Sequence, residues 1–328
     1  MFDLITIGDA TLDTFLIVDD ATLQCDVRRE HCQLCLDYAE KIPIKETAQS
    51  VGGNAANVAA GASRLGLAAA IVTQLGDDLN GYAIHDALQE AGVDTGLVSL
   101  QPRATTRYSI VLSYRGERTI LAYHAARRYR LPALPAARWL YYTSLGESFE
   151  RLQARLAAYL KRHRTLKLAV NPGSYQLKKG REEFAKILPL TDLLIVNKQE
   201  AERLAGEKRT MRALCAAVRR LGPKTVVVTD SVRGSFASQG DDLYFLPSYP
   251  VKVVSKTGAG DAYASGFLRA YMSGSSLPEA MQWGTANAGG VIQQWGAQTG
   301  LLTEKDVRRM IARHPKITPF LRHQCLSL

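Results

Sequence analysis

Short, almost wholly apolar runs alternate along this chain with segments in which apolar residues recur at helical spacing. Strands covered by helices on both faces have this continuous apolar character. The predicted strands are "LITIG" (4–8), "AAIVTQLG" (69–76), "KLAVNP" (167–172), "LLIVN" (193–197) and "TVVVTD" (225–230). The predicted helices are "NAANVAAGASRLG" (54–66), "ESFERLQARLAAYLKRH" (147–163) and "KQEAERLAG" (198–206). This alternation predicts an α/β fold with a doubly wound, mainly parallel sheet, in which ligands bind beyond the carboxyl ends of the strands.

Two stretches depart from this rhythm, residues 13–50 and 105–124. The second, "TTRYSIVLSYRGERTILAYH", alternates apolar and polar residues around an "RGER" turn, which is typical of antiparallel strands. We expect the two stretches to form a small antiparallel sheet that stands off the main domain. The apolar face of such a sheet, most evident in "YSIVLSY", needs either the substrate or a second subunit to cover it.

The composition is that of a globular protein, with 328 residues of which 46% are hydrophobic and 22% charged. No run approaches the roughly 20 apolar residues that a membrane helix needs. The N-terminus "MFDLITIGDA" has neither a basic leader nor a small-residue cleavage site. The sequence therefore predicts a cytoplasmic protein without a membrane partner.

The formal net charge of +10 favours anionic partners. The basic residues are spread along the chain and no aromatic-interleaved RNA motif accompanies them, so we do not expect nucleic acid to be a partner. Arg107, Arg127 and Arg128 are candidates to bind a phosphate group of a ligand, although arginines on or beside a small separate sheet are commonly solvated.

The five cysteines are too few and too unevenly spread for a disulfide framework, which is typical of a reducing compartment. Cys25, His31, Cys32 and Cys35 nevertheless form a cluster. One interpretation is a metal site and the other is apolar packing, and the single Cys-x-x-Cys pair favours packing.

Polar residues follow the first predicted strand and open the first predicted helix. The Asp13 carboxylate can accept hydrogen bonds from vicinal hydroxyls, or it can be an ordinary turn or cap residue. Gly52 and Gly53 let a ligand approach the backbone. Asn54 and Asn57 then offer amide donors and acceptors on one helical turn. This set suits a ligand rich in hydroxyl groups, although helix capping is the simpler alternative.

The strands at 193–197 and 225–230 end in a second polar group. Asn197 can cap the following helix, with Glu200 at the capping-box position. The alternative role of Glu200 is to orient hydrated Mg²⁺ beside polyphosphate, because Mg²⁺ keeps most of its waters in proteins. The Thr229 hydroxyl, with Gly234 five residues later, is placed to meet a phosphate.

The segment "KTGAGDAYASG" (256–266) places Gly258, Ala259 and Gly260 before Asp261 at the start of a predicted helix. It is not a dinucleotide fingerprint, because Tyr263 stands where a third glycine is required. Consecutive backbone N–H groups at a helix N-terminus can hold developing negative charge. Asp261 could then accept the proton of a hydroxyl that attacks a phosphoryl group. Helix capping would explain the aspartate but not the Gly-Ala-Gly run.

These segments resemble the signatures of the ribokinase-like (PfkB) carbohydrate kinase family. "GGNAANVAAGASRLG" is similar to its N-terminal signature and "TGAGDAYASGFL" to its C-terminal one. The resemblance covers nearly the whole chain in the same order. It implies a Rossmann-like αβα sandwich as one kinase domain over residues 1–328, with a β-sheet lid formed by about 13–50 and 105–124. It also implies ATP and Mg²⁺.

The resemblance also implies a role for each candidate site residue. Asp261 is the catalytic base, and Gly258, Ala259 and Gly260 form the anion hole. The positions implied for the nucleotide and for water-mediated Mg²⁺ binding are Asn197, Glu200, Thr229, Gly234 and Asn287, with Glu200 as the magnesium residue. The positions implied for the sugar are Asp13, Gly53, Asn54 and Asn57.

The chain departs from the family pattern at three places. Ser231 replaces a glycine of the nucleotide motif, and Ser255-Lys256 replaces a common Asp-Thr pair. Gly300 stands where a hydroxyl side chain is often found. Because two side-chain ligands of the family's monovalent-cation site are lost and Lys256 adds a positive charge, we expect a kinase that does not require potassium.

The sequence thus predicts an ATP-dependent phosphotransferase that acts on the hydroxymethyl group of a small, ribose- or fructose-like sugar. An adenosine-like nucleoside is the alternative substrate, and no lid residue indicates a base-stacking pocket. A non-catalytic sugar- or nucleotide-binding regulator on the same fold is a further alternative, but it would not need the intact run 258–261. We also expect a homodimer formed through the lid.

Overall fold

A ten-stranded sheet crosses the computed structural model, which describes residues 1–26, 32–115, 117–207 and 209–322. The strands that pair in parallel are β1 Phe2–Ile7, β6 Ala69–Gly76, β7 Val98–Gln101, β10 Ala137–Tyr142, β11 Lys167–Val170, β12 Leu193–Asn197 and β13 Thr225–Thr229. The antiparallel strands that follow are β14 Ser235–Gln239, β15 Asp242–Leu246 and β16 Phe320–Leu321. The predicted α/β fold with a mainly parallel sheet is confirmed.

The strand order is β7-β6-β1-β10-β11-β12-β13-β14-β15-β16. Strands β6 and β7 lie in sequence order on one side of β1, and β10 and the later strands lie in sequence order on its other side. The order therefore reverses between β1 and β10, and open α/β sheets bind ligands beyond the carboxyl ends of the strands at such a point. Strand β10, "ARWLYY", was not predicted from the sequence, because it lacks the β-branched residues that mark the predicted strands.

Helices cover both faces of the sheet. They are α1 Asn54–Arg64, α2 Leu79–Glu90, α3 Glu150–Arg162, α4 Ser174–Lys178, α5 Arg181–Phe184, α6 Lys198–Ala205, α7 Met211–Arg219, α8 Ala259–Met272, α9 Leu277–Val291 and α10 Glu304–Arg313. Short 3₁₀ turns lie at Leu188–Leu190 and Ser231–Arg233. Within the described ranges, no helix combines the length and the apolar character that crossing a membrane requires.

Side chains that alternate along the strands build a core on each face of the sheet. Leu4 packs in the core beneath α1, α8 and α9. Its neighbour Ile5 packs in the core beneath α3, α6 and α7. Both side chains are fully buried, and full burial of such a side chain is worth about 1.5–3 kcal/mol. The near-continuous apolar strands follow from this burial on both faces.

A separate four-stranded sheet lies where the lid was predicted, and it is called the lid for that reason. Its strands are β2 Thr11–Val18, β5 Ile44–Gly52, β8 Tyr108–Tyr114 and β9 Glu117–Tyr123, in the order β5-β2-β8-β9. The expectation of a wholly antiparallel sheet was wrong, because β2 pairs with β8 in parallel. Strand β2 follows β1 and strand β8 follows β7, so both leave the same edge of the main sheet and run in one direction. The predicted "RGER" turn joins β8 to β9, and its Gly116 lies outside the described residues.

The exposed apolar residues of the lid lie mainly on its edge strand rather than on "YSIVLSY". In β8, Val111 and Tyr114 are buried, whereas every residue of β9 is exposed. Ile120 and Leu121 are 50% and 53% accessible. The uncovered apolar surface of the lid is therefore centred one strand further out than the sequence indicated.

A two-stranded antiparallel ribbon, β3 Thr22–Cys25 and β4 Cys32–Cys35, projects beside the lid. Its register sets Cys25 opposite Cys32, and the two form a disulfide. The expectations of apolar packing and of a metal site were therefore wrong for this pair, both of whose residues are exposed. Cys35 keeps a free thiol. His31 lies outside the described residues, and the described ranges contain no group of three metal-binding side chains.

Candidate active site

The start of α1 lies under the end of β1 because of one glycine. Gly53 has a φ of 89°, in the left-handed region, and a Cβ at this position would lie 2.5 Å from the Asp9 carbonyl oxygen. Only glycine allows this close approach. It places Asn54 and Asn57 in the opening turn of α1, at the edge where the parallel strands end.

The start of α8 depends on a second glycine. Gly258 has a φ of 75°, and a Cβ there would lie 2.6 Å from the Cα of Ala297. Gly260 differs, since a Cβ there would meet no atom within 4 Å. The first turn of α8 therefore faces open space at Gly260, and the N–H groups of a helix N-terminus favour an anion. The Ala259 N–H makes only a long bond of 3.4 Å, to the Lys256 carbonyl oxygen. Asp261 is the third residue of this helix.

A hydrogen bond joins the openings of the two helices. Asn57 Nδ2 donates to Asp261 Oδ2 over 2.8 Å, and Gln298 Nε2 donates to Asn57 Oδ1 over 3.0 Å. Burial raises the pKa of the Asp261 carboxyl to about 7, the Asn57 donor opposes this shift, and the negative charge of Glu200 adds to it. Asp261 is thus a fixed, desolvated carboxyl that takes up and releases a proton near neutral pH.

Asn171, which the sequence analysis did not select, connects α1 to the strand ends. Its Oδ1 accepts from Asn54 Nδ2 over 3.3 Å, and its Nδ2 donates to the Ile195 carbonyl oxygen over 2.7 Å. The available signal was its place near the end of the predicted strand "KLAVNP" (167–172), since the other candidates also lie at strand ends.

Asn197 and Thr229 are neighbours at the ends of β12 and β13, where they are register partners. Asn197 Oδ1 accepts from the Glu200 N–H and Glu200 Oε2 accepts from the Asn197 N–H, each over 2.9 Å. The capping box is therefore formed. It engages one carboxylate oxygen of Glu200 and leaves the other for a ligand.

The donor set around Glu200 fits a hydrated Mg²⁺, which uses one or two carboxylates in addition to waters and phosphate oxygens. The Glu200 side chain is half-buried, and its charge acts on Asp261. Burial raises the pKa of Glu200, and the Asn197 N–H opposes this shift. A cation beside Glu200 would relieve the repulsion between the two carboxylates.

The turn after β13 has the backbone of a glycine-rich motif. Gly234 has a φ of 121°, and a Cβ there would lie 2.1 Å from the Leu246 carbonyl oxygen. Ser231, which replaces a glycine of the family pattern, also has a positive φ, 51°. The turn therefore keeps the shape that glycine normally allows, with a strained serine in it.

Asp13 lies on lid strand β2 and is mostly buried. Its Oδ1 accepts from Thr11 Oγ1 over 3.2 Å, and a Cβ on Gly52 would lie 2.2 Å from its Oδ2. Burial raises the pKa of Asp13, while hydrogen bonds from Ser109 and Thr11 oppose the shift. Neighbouring lid strands thus hold the carboxylate in place.

Asn287, which the resemblance placed at the nucleotide, lies between two helices. Its side chain is fully buried, and its Nδ2 donates to the Ala262 carbonyl oxygen and to Ser265 Oγ over 2.9 and 3.1 Å. Its Oδ1 accepts from the Leu302 N–H over 3.0 Å. These bonds join α9 to α8, and the burial argues against direct binding of adenine by this residue.

The arginines near the lid also differ from expectation. Arg107 forms a buried ion pair with Asp9, whose Oδ1 also accepts from the Tyr129 hydroxyl over 2.8 Å. Arg127 is buried as well and donates to the carbonyl oxygens of Gln74 and Thr105. Neither is solvated nor free for a substrate phosphate, because the fold uses both to hold the base of the lid.

Arg128, the remaining arginine of that prediction, is exposed.

Near α8, Ser255 is buried and its Oγ accepts from the Thr257 N–H over 3.2 Å. Lys256 is exposed. A Cβ on Gly300 would lie 2.5 Å from the Gly290 carbonyl oxygen, so this close contact excludes a side-chain hydroxyl there.

Most of the predicted residues therefore fall into two groups, with Asp13 on the lid and Asn287 between helices. Asn54 and Asn57 lie in the opening turn of α1, and Asn57 bonds to Asp261 where α8 begins. Asn197, Glu200 and Thr229 lie at the ends of β12 and β13, and the charge of Glu200 reaches Asp261. A buried carboxyl, an open helix N-terminus and a second carboxylate can together activate a hydroxyl and hold a transferring anion.

Comparison with known proteins supports the same chemistry. The family model for pfkB family carbohydrate kinases matches residues 14–304. A nucleoside kinase of Methanothermobacter thermautotrophicus is 28% identical over 82% of this chain and 87% of its own. A 5-dehydro-2-deoxygluconokinase of Halalkalibacterium halodurans is 25% identical over 97% and 96%. The structure of Arabidopsis thaliana ribokinase complexed with ribose and ATP aligns with a TM-score of 0.76 at 22% identity, covering 94% of this chain and 98% of that one.

Proposed function

The chain belongs to the pfkB family of carbohydrate kinases, and from this membership we propose that it transfers the γ-phosphoryl group of ATP to a hydroxymethyl group of a small, ribose- or fructose-like sugar. It is a sugar or nucleoside kinase by family. The observation that carries the finer proposal is the buried Asp261 carboxyl, held by Asn57 beside the open N-terminus of α8.

Asp261 acts as the general base in this proposal. A carboxyl with a pKa near 7 can accept the proton of the attacking hydroxyl and is still ionised in a large fraction of molecules at neutral pH. The N–H groups of Gly258, Ala259 and Gly260 hold the charge on the transferring group, in the open space above Gly260. Asn57 fixes the carboxylate orientation.

The hydroxyl-rich substrate lies against the opening of α1 and under the lid. Asp13 accepts hydrogen bonds from sugar hydroxyls, and the Gly53 backbone gives the substrate close access. The amides of Asn54 and Asn57 each keep bonding capacity beyond their protein partners, because an amide has two donor hydrogens and two acceptor lone pairs.

The nucleotide lies along the ends of β12 and β13, at Asn197, Thr229 and Gly234. Bound Mg²⁺ would neutralise phosphate charge during transfer, and Glu200 would hold it through water. We propose that no monovalent cation is required, since Ser255 offers no carboxylate and Gly300 no hydroxyl. The exposed Lys256 ammonium is a candidate for part of that electrostatic role.

A nucleoside is the second candidate substrate. The relative named a nucleoside kinase favours it, and the relative named a 5-dehydro-2-deoxygluconokinase favours a sugar-derived substrate. Initial rates of ATP consumption against a panel of sugars and nucleosides separate the two, with Asp261→Asn as the inactive control. Activity on nucleosides alone would contradict the sugar proposal, and activity on neither class would contradict both.

The proposal also covers the domain organisation, the cellular location and the oligomeric state of the kinase. Residues 1–328 act as one kinase domain, with the lid formed by about 13–50 and 105–124, in the cytoplasm where ATP is supplied. The exposed apolar residues of β9, including Ile120 and Leu121, support a homodimer through the lid.

A further inference from the structure

A cavity of about 520 Å³ lies between the segment 127–130 and the start of α3. The residues that line it are Arg127, Arg128, Tyr129, Arg130, Ser148, Arg151 and Arg155. None of them belongs to the groups around Asp261 and Glu200. Tyr129 packs in the core beneath α3, on the opposite face of the sheet from α1 and α8. The cavity is therefore separate from the candidate active site.

The five arginines that line the cavity carry positive charge that no ion pair within the described residues neutralises. In the part of the chain that the structure describes, no carboxylate forms an ion pair with any of its five arginines. Glu150, the acidic residue at the start of α3, pairs with Lys179 over 2.9 Å instead. Arg151 and Arg155 are one helical turn apart on the same face of α3, where like charges repel.

Arg127 is buried and donates to backbone carbonyl oxygens, but the four exposed arginines, Arg128, Arg130, Arg151 and Arg155, converge on one concave space from two separate segments. Guanidinium groups bind phosphate oxygens through paired, charge-assisted hydrogen bonds. The volume lies within the roughly 300–1,000 Å³ of small-molecule sites. We propose that this cavity binds a small molecule that carries a diphosphate or triphosphate group, at a site distinct from that of the transferred phosphoryl group.

Two residues that line the cavity are hydrogen-bonded to the chain just before β2 and β8, the two points at which it enters the lid. Arg127 donates to the carbonyl oxygens of Gln74 and Thr105, and Thr105 lies shortly before β8. The Tyr129 hydroxyl donates to Asp9, which lies two residues before β2. A ligand that orders the segment 127–130 therefore also orders the two points at which the chain enters the lid.

The test is calorimetric titration of the full chain with inorganic pyrophosphate. A Gly260→Asp background places a negative side chain in the open space at α8 and so removes the active site as a competing anion site. In this background we expect binding of one pyrophosphate per chain. Arg151→Gln combined with Arg155→Gln should weaken it at least tenfold. The matched control, Arg162→Gln with Arg164→Gln, removes the same charge near the other end of α3 and should change the affinity by less than about twofold.

Several results would overturn the proposal. Absence of binding in the Gly260→Asp background would assign the anion to the active site. Equal weakening in both double variants would show that binding depends only on overall charge. Thermal unfolding checks that each variant folds, and Arg128→Gln alone, with an expected severalfold loss, gives an independent second variant.

Hydrogen exchange locates the site. Pyrophosphate should slow exchange in peptides covering 124–135 and 147–160, and exchange slowed only around 256–266 would contradict the proposal. ADP binding more tightly than pyrophosphate would identify a nucleotide as the source of the phosphates, and the reverse order would favour another phosphate ester. A single-stranded RNA oligomer that binds through the same arginines while pyrophosphate does not would replace the small-molecule site with a nucleic-acid surface. Because none of these measurements uses phosphoryl transfer, their failure is distinct from failure of the proposed kinase activity.

Discussion

The Asn57 side-chain amide donates a hydrogen bond of 2.8 Å to Asp261 Oδ2, across 204 residues of sequence. This bond joins the first turns of α1 and α8 and fixes the carboxylate that we propose as the base. Its energy depends on burial, because a charge-assisted hydrogen bond in a desolvated site is stronger than one in water.

Asp261→Asn should lower turnover by at least about 10²-fold, the low end of what a general base contributes. Asparagine keeps the size of the side chain but cannot accept the substrate proton. ATP binding should remain close to that of the wild type, and equilibrium binding measures it. A variant that keeps more than about a tenth of wild-type turnover would show that Asp261 is not the base.

The same variant should change the pH dependence of stability. The folded-state pKa of Asp261 is raised to about 7 from its usual 3.8, so the folded protein holds this proton more tightly than the unfolded chain. The wild type should therefore lose stability relative to Asp261→Asn as pH rises from about 4 to about 7, with a constant difference above that range. Denaturant unfolding at several pH values measures the difference, and parallel curves would contradict the raised pKa.

Turnover should rise with pH through about 7 as Asp261 ionises, reaching about a tenth of its plateau one pH unit below the pKa. Asn57→Ala removes a donor that favours the charged form, so the acidic limb should move to higher pH. Glu200→Gln removes a nearby negative charge and should move it to lower pH. Asn54→Ala, whose partner is Asn171, is the control. A shift of its profile equal to that of Asn57→Ala would contradict the assignment.

Two glycines in the same turn should respond differently to valine. Gly260→Val places a side chain in open space, so the melting temperature should change little while turnover falls by at least about 10²-fold, because the phosphoryl group loses its place. Gly258→Val forces a Cβ to within 2.6 Å of Ala297 at a positive φ, and should destabilise the fold by several kcal/mol. Thermal unfolding and initial rates measure both, and an active Gly260→Val enzyme would contradict the anion-hole role.

The lid should support a homodimer at tens of micromolar protein in light scattering. Leu121→Lys places a charge on exposed strand β9 and should shift the population to monomer. Leu79→Lys changes an equally apolar residue, 87% exposed on α2, and should leave the dimer intact. A monomeric wild type, with and without substrate, would argue against the lid interface.

Activity should be nearly independent of potassium. Initial rates in about 100 mM KCl and in potassium-free buffer of matched ionic strength should agree, since the matched salt removes screening differences. Severalfold stimulation by potassium would contradict the loss of the cation site. Lys256→Met should lower turnover, because we propose that the Lys256 ammonium takes over part of the cation's role at the anion hole. Unchanged turnover would show that Lys256 only faces solvent.

Local patterns were enough to predict five of the ten strands of the main sheet, the helices 54–66, 147–163 and 198–206, and the glycine-rich turns. These features depend on neighbouring residues, since burial on both faces selects apolar runs and a left-handed turn selects glycine. Strands β7, β14, β15 and β16 were not predicted. Strand β10 was also missed, because it lacks the β-branched residues of the predicted strands, although its aromatic residues favour a strand as well. Its place between β1 and β11 comes from pairing with both neighbours.

The sequence by itself determined the reaction class, because helix capping does not explain the whole run 258–261 and two segments resemble the signatures of the kinase family. Only the tertiary structure decided which polar side chains lie together at the candidate site. Asn57 meets Asp261, whereas the equally polar Asn287 is buried between helices, and Arg107 and Arg127 hold the lid rather than a phosphate. Partners of this kind lie far apart in sequence, so the packing of helices and strands selects them and local spacing carries no signal for them.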